Sequence, residues 1–337
     1  MKGKKGSAYR LLMFAMAEAA IPNPYSIFVW LISLKIKLIA HPMAMKRNLF
    51  SFKKLFFLLI FSPLLFSCNR LERIPYSPQQ TPDDFLKEQP YTKLSVAGKT
   101  FILIQPTSTV FVYGLGLLTA LIGFHFLRKR KNQKSGLWWG IALIFWGLGA
   151  LLAGTSYQAF GFEIKCAGKE FCSWTSWWEV FYLVFTAASV DAMMMAQSYS
   201  SAGGKLSKAL RVYAVVKCIL FTGLIFTGAF VPVQFLVSFE LLIIASLPAM
   251  IIFMVINAAH YRKHKDVLNL RLFLAWIILG LVIALYFGYF MSGIEKQLYQ
   301  SGTWFTANDV LHLGLVAWMI YLRFAVAGKM QDLPAEA

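Results

Sequence analysis

Residues 304–323 read WFTANDVLHLGLVAWMIYLR. A bilayer crossing takes about 20 apolar residues, at a rise of about 1.5 Å each, and this run is long enough. Near its start it carries Asn308, Asp309 and His312. Spacings of three and four residues put these side chains on one helix face. A carboxylate and an imidazole inside a span turn toward protein or a wet cavity, because lipid exposure is expensive. The stretch predicts a membrane helix and, on its inner face, a polar site.

The rest of the chain has the same character. Of 337 residues, 58% are hydrophobic and 14% are charged. That is too apolar for an ordinary soluble domain and points to a multi-span membrane protein. The formal charge of +18 raises the question of nucleic acid. The lysines and arginines, however, gather in short clusters between apolar runs, with no long basic face and no nucleic-acid motif. Nucleic acid is therefore excluded as a partner, and membrane lipids are the expected one.

Seven spans are read within a membrane domain of residues 106–327, at 107–127, 136–157, 173–198, 212–230, 234–259, 272–291 and 304–327. The loops alternate in charge. Arg128 to Lys131 with Lys134 form one basic cluster, Lys205, Lys208 and Arg211 a second, and Arg262, Lys263, Lys265 and Arg271 a third. The loops between them are nearly neutral. The positive-inside bias then puts the basic loops in the cytoplasm, the amino end of the bundle outside and its carboxyl end inside, with 328–337 as a cytoplasmic tail. The fold class expected is all-α, a seven-transmembrane helix bundle.

The amino-terminal region reads separately. Residues 1–44 form an uncertain leader or precede the true start. From Met45, a basic stretch with Lys46, Arg47, Lys53 and Lys54 leads into an apolar run ending at Cys68. Residues 45–68 are read as a signal peptide or signal anchor, and Leu65 to Cys68 resembles a lipobox with Cys68 as the lipidation site. This predicts a bacterial protein of the cytoplasmic (inner) membrane, with the signal delivering residue 69 to the outer side. Residues 69–105, with Pro75, Pro78, Pro82 and Pro90, form an extracytoplasmic linker, and 93–104 a short hairpin turning at Ala97 and Gly98. Cys166 and Cys172 share an outer loop, where an oxidising compartment favours a disulfide.

Glu179 stands about 9 Å into span three from its outer end, Glu240 about 9 Å into span five, and Asp309 and His312 about 8 to 12 Å into span seven. Ser156 and Tyr157 close span two on the same side. A shared layer predicts a polar pocket opening outward, lined by Ser156, Tyr157, Glu179, Glu240, Asn308, Asp309 and His312. Two chemistries are open to it. His312 and Asp309, with Glu240 or Glu179 as a third ligand, make a donor set for zinc, leaving one position for water. Alternatively the groups form a hydrogen-bonded network that fixes helix packing. Asp191 and Lys217, deeper on consecutive antiparallel spans, are expected to neutralise each other.

Over residues 106–327 this arrangement resembles the CREST superfamily of alkaline ceramidases, progestin/adipoQ-type receptors and bacterial relatives. Asn308 and His312 stand at the spacing of that family's HxxxH pattern, with asparagine in place of the first histidine. Ser156 lies near the end of span two, and Glu179 stands where the family has a carboxylate in span three. The resemblance implies zinc held between spans two, three and seven and a metal-dependent lipid hydrolase. Metal-bound water would attack a lipid amide or ester, with Asp309 or Glu179 as base and His312 as ligand. The alternative is a non-enzymatic receptor-like or scaffolding membrane protein in which Glu240 and His312 serve folding. A transporter is disfavoured by the lack of an internal repeat. A retinal protein is disfavoured because span seven holds no lysine.

Overall fold

The computed structural model describes residues 70–334, apart from residues 75, 77 and 97. The signal-like segment 45–68 with Cys68, and the leader before it, lie outside the described residues.

Seven helices are long and apolar enough to cross a membrane. They are α2 (Pro106–Lys129), α3 (Lys134–Ala153), α5 (Trp177–Ser200), α6 (Gly204–Phe230), α7 (Phe239–His264), α8 (Val267–Ser292) and α10 (Ala307–Tyr321). Both α3 and α10 continue through a π-helical turn, Gly154–Ala159 and Leu322–Val326 respectively. Helices α2, α3, α5, α7, α8 and α10 pack in that order into a closed ring, with α6 against the outside of α5. Helix α5 touches α3, α6 and α7 and is the most enclosed of the seven. Ile219, Leu220, Ile244, Val255, Leu281 and Leu285 are each more than half exposed on the bundle's outer faces. An apolar belt of this extent suits lipid and not water: the chain is a multi-pass membrane protein.

Antiparallel connection puts the three basic loops at one end of the bundle. The other end carries α1 (Pro82–Lys87), the hairpin β1 (Tyr91–Val96) and β2 (Lys99–Ile104), the short helix α4 (Gly161–Lys165) and α9 (Ile294–Gln300). The hairpin is in register from Tyr91 opposite Ile104 to Val96 opposite Lys99. It docks on α4 through the Ile102 amide, which donates to Glu163 Oε1 at 2.9 Å. Phe85, Ile104 and the Cys166–Cys172 disulfide make a small core beneath it.

Helices α2 and α3 meet backbone to backbone. A Cβ on Gly147 would lie 2.6 Å from the Gly116 carbonyl oxygen, and one on Gly123 would lie 2.8 Å from that of Gly140. The two glycines on each helix are spaced so that both pairs form at once along the antiparallel contact. Small residues allow such approach where no hydrophobic effect drives helices together. In the basic-loop half, Trp139, Trp276 and Phe253 stack, with ring centroids 6.2 and 4.5 Å apart. Trp318 joins them and donates its indole N–H to the Ala275 carbonyl at 2.8 Å. Lys217 of α6 meets Asp191 of α5 at 2.6 Å, as the antiparallel pairing of those spans requires.

Several boundaries differ from the sequence reading. Span seven starts at Ala307 because Thr306 caps it, and Trp304 and Phe305 precede the helix. Span four starts at Gly204, since Lys205, Lys208 and Arg211 extend the helix without entering its apolar middle. The segment before span seven contains α9. The tail folds back on the basic-loop end. Both carboxylate oxygens of Asp332 accept from the Lys134 and Ser135 amides at 2.8 Å, and the Leu333 amide donates to the Tyr199 carbonyl at 2.8 Å.

Candidate functional site

The predicted site residues lie at the hairpin end, and the structure sorts them into two buried clusters. The first is built on the π-helical turn. Tyr113 Oη bonds Thr155 Oγ1 at 2.7 Å, and Thr155 in turn donates to the Leu151 carbonyl at 2.8 Å, which pins the turn to α2 and α3. Ser156 then faces α5. Its hydroxyl lies 2.7 Å from Glu179 Oε1 and 2.7 Å from Ser176 Oγ. An ionised carboxylate only accepts, so Ser156 donates to Glu179 and Ser176 donates to Ser156. Lys165 closes the cluster, with Nζ 3.0 Å from Glu179 Oε1 and 5.1 Å from the centre of the Tyr157 ring. Tyr157 packs edge-on against Tyr182. Lys165 belongs to α4, outside the spans. Burial alone would lower its pKa, but the Glu179 carboxylate and the Tyr76 hydroxyl together more than offset this, and the ammonium is held above its ordinary value.

The second cluster repeats the design at span seven. Thr306 is the N-cap of α10 and Asp309 stands three residues on; their side chains and amides form a reciprocal capping box. The Thr306 amide donates to Asp309 Oδ2 at 2.6 Å. Ser108 of α2 donates to Asp309 Oδ1 at 2.8 Å and lies 2.9 Å from Thr306 Oγ1. Thr107 Oγ1 adds a contact to Oδ2 at 3.2 Å. In both clusters the hydroxyl of the residue before the helix (Ser176 or Thr306) donates to a serine on a neighbouring helix, and that serine donates to a first-turn acid; only Thr306 also caps its helix through the side chain.

His312 lies one turn below Asp309. It is 7% exposed, and its Nδ1 has no hydrogen-bond partner among the described residues. Asn308 points the other way, and its Nδ2 donates to Gln105 Oε1 at 3.2 Å. Gln105 is the left-handed residue that joins β2 to α2. Glu240 joins neither cluster. It is exposed in the first turn of α7, after the Ser238 cap, where a carboxylate complements the helix dipole. The expected single layer is therefore two clusters, with Glu240 apart from both. Sequence reading missed Lys165, Ser176, Thr306, Ser108 and Thr107. The Ser176-x-x-Glu179 and Thr306-x-x-Asp309 spacings were the available signal, since serine or threonine three residues before an acid marks a capping box.

As a zinc donor set, His312 and Asp309 gain no third partner among the described residues. No group of three or more His, Cys, Asp or Glu side chains that could hold a metal is found among the described residues. Glu179 is engaged by Lys165, and Asp309 by the cap.

A cavity of about 570 Å³ opens beside the second cluster. Thr306 and Phe305 form part of its lining, α8 and α9 contribute Phe290, Glu295, Lys296 and Tyr299, and the α1 side contributes Lys87 and Glu88. Trp304 completes the aromatic lining. Glu295 also accepts from the Ala307 amide at 2.8 Å, which ties α9 to the start of α10.

Fold and site together define a seven-helix membrane protein with a ring-shaped bundle, two buried acids in the first turns of spans three and seven, and a cavity at one end. The chain belongs to a family described as a family of unknown function (DUF6962), whose model matches residues 107–331. No curated protein and no solved structure matches it.

Proposed function

We propose that this protein is a receptor-like membrane protein that binds an amphiphile at its hairpin end. The observation that carries this reading is the 570 Å³ cavity, lined by four aromatic side chains and by charges of both signs. Small-molecule sites span about 300–1,000 Å³ and combine apolar walls with a few polar groups. An amphiphile offers both surfaces, and a cavity at the end of a span is reached from the bilayer's edge. The positive-inside bias of the loops supports an outward orientation for this end. The signal-like segment 45–68 supports the bacterial cytoplasmic membrane as the location.

The CREST resemblance supplies the competing reading, a zinc-dependent hydrolase of lipid amides or esters. Binding is favoured over it by the state of Asp309. A general base needs a lone pair within reach of water or substrate, and this carboxylate is instead fully buried and accepts from the Thr306 amide and the Ser108 hydroxyl. Protein purified in mild detergent should retain lipid in native mass spectrometry and should lose it when Trp304 and Tyr299 are replaced by leucine. Stoichiometric zinc, together with lipid turnover abolished by His312→Ala, would overturn binding in favour of hydrolysis.

A further inference from the structure

The charges around the cavity are not equivalent. Lys87 is paired with Asp84 at 3.1 Å. Lys296 has no carboxylate within ion-pair distance among the described residues. Glu88 is held by Gln80, whose Nε2 donates at 2.7 Å, and Glu295 is held by the Ala307 amide. Neither of these acids has a cation within ion-pair distance among the described residues. The cavity thus presents two fixed carboxylates, one uncommitted ammonium and the rings of Tyr299 and Trp304. A purely anionic head would meet both carboxylates, and a purely cationic one would meet Lys296 without compensation. A head with a phosphate and an ammonium a few bonds apart satisfies both sets. Aromatic faces and carboxylates attract the alkylammonium, and lysine is a standard point-charge partner for phosphate.

Building on the amphiphile reading, we propose that the cavity takes a zwitterionic phosphoalkylammonium lipid headgroup, with its phosphate on Lys296 and its ammonium between Trp304, Tyr299 and Glu88. Ethanolamine and choline heads share this chemistry. Both are attracted by the rings and by the Glu88 carboxylate, and ethanolamine alone can also donate hydrogen bonds to Glu88.

The test uses the full chain in detergent and short-chain phosphatidylcholine, phosphatidylethanolamine and phosphatidylglycerol with identical acyl chains, compared by competition in native mass spectrometry. Both zwitterionic lipids are expected to outcompete phosphatidylglycerol about 10-fold. Lys296→Gln and Trp304→Leu should each weaken zwitterion binding by about 3- to 30-fold, the range of an exposed to partly desolvated cation interaction. Glu88→Gln, a mild change at an exposed side chain, should narrow the preference by strengthening phosphatidylglycerol. A larger loss for ethanolamine than for choline in Glu88→Gln would support the contact of the ammonium with that carboxylate; no loss for either would overturn that contact. Equal binding of all three lipids, or binding weakened by Trp304→Leu alone, would overturn the headgroup assignment while leaving amphiphile binding intact, and binding unmoved by all three variants would count against the cavity itself. Retention of no lipid of any head would overturn both.

Discussion

Lys165 Nζ lies 3.0 Å from Glu179 Oε1, and the two side chains are 4% and 2% exposed. A buried ion pair is expensive to desolvate, and removing one partner leaves a charge with no compensation. Lys165→Met should destabilise the protein by about 3–5 kcal/mol, and adding Glu179→Gln should recover most of the loss. Unfolding in mixed micelles, followed by circular dichroism, provides the cycle. Additive losses would show that the pair is not coupled.

The same pair sets an alkaline limit. The Lys165 pKa is raised in the folded protein above its ordinary 10.5. Its stabilisation is complete below that unfolded value and is lost as pH rises through the higher folded one. Stability should fall more steeply above about pH 10.5 in the wild type than in Lys165→Met. Parallel curves would contradict this linkage.

Asp309 separates architecture from catalysis. As a cap acid it holds the Thr306 amide and the Ser108 hydroxyl. Thr306→Ala should cost about 1 kcal/mol. Asp309→Ala should cost about 2–3 kcal/mol, since buried donors also lose their acceptor. Asp309→Asn keeps an acceptor and should lie between wild type and Asp309→Ala. A general base would behave oppositely, with stability kept and an activity lost in Asp309→Asn.

Gly147→Ala tests the contact between the first two spans. The added Cβ would sit 2.6 Å from the Gly116 carbonyl, a backbone atom that cannot swing aside. A loss of at least about 2 kcal/mol is expected, in the range of overpacked cores. Gly223→Ala, where nothing lies within 4 Å, should be neutral or stabilising by up to about 1 kcal/mol. Equal effects at the two positions would refute the close-approach account.

Lys217→Met should leave the Asp191 carboxylate buried and uncompensated, since Asp191 Oδ2 already has no partner among the described residues. A loss of about 3–5 kcal/mol is expected, relieved by Asp191→Asn on the same background. Thermal unfolding of the single and double variants measures it.

The spans, the alternation of basic loops and the hairpin were legible because hydropathy, charge and turn residues are local signals. Asp191 and Lys217 were legible because consecutive spans must pass each other. The partners of the acids at the hairpin end were not. Counting residues from a span's end gives height along the membrane normal, and height says nothing about direction around the helix axis. Glu240 and Glu179 were assigned similar depths, yet one is exposed at the start of α7 and the other is buried beneath a loop. Lys165 was hidden for a different reason. It lies in a connection that folds back over the bundle, and no periodicity announces such a path. The Ser176-x-x-Glu179 and Thr306-x-x-Asp309 spacings were visible in the sequence, but depth alone passed over them, and only at Thr306 does the side chain cap the helix.

Asp332 closes the amino terminus of α3 from the far end of the chain. During synthesis, that helix enters the bilayer long before residue 332 has left the ribosome. Its first amides must therefore wait on water or lipid headgroups until the last span is in place and the tail swings back. A late contact of assembly is thus recorded at a helix made much earlier. A tag fused just after the tail, or a truncation before it, would act on the first hairpin of spans and not on the last.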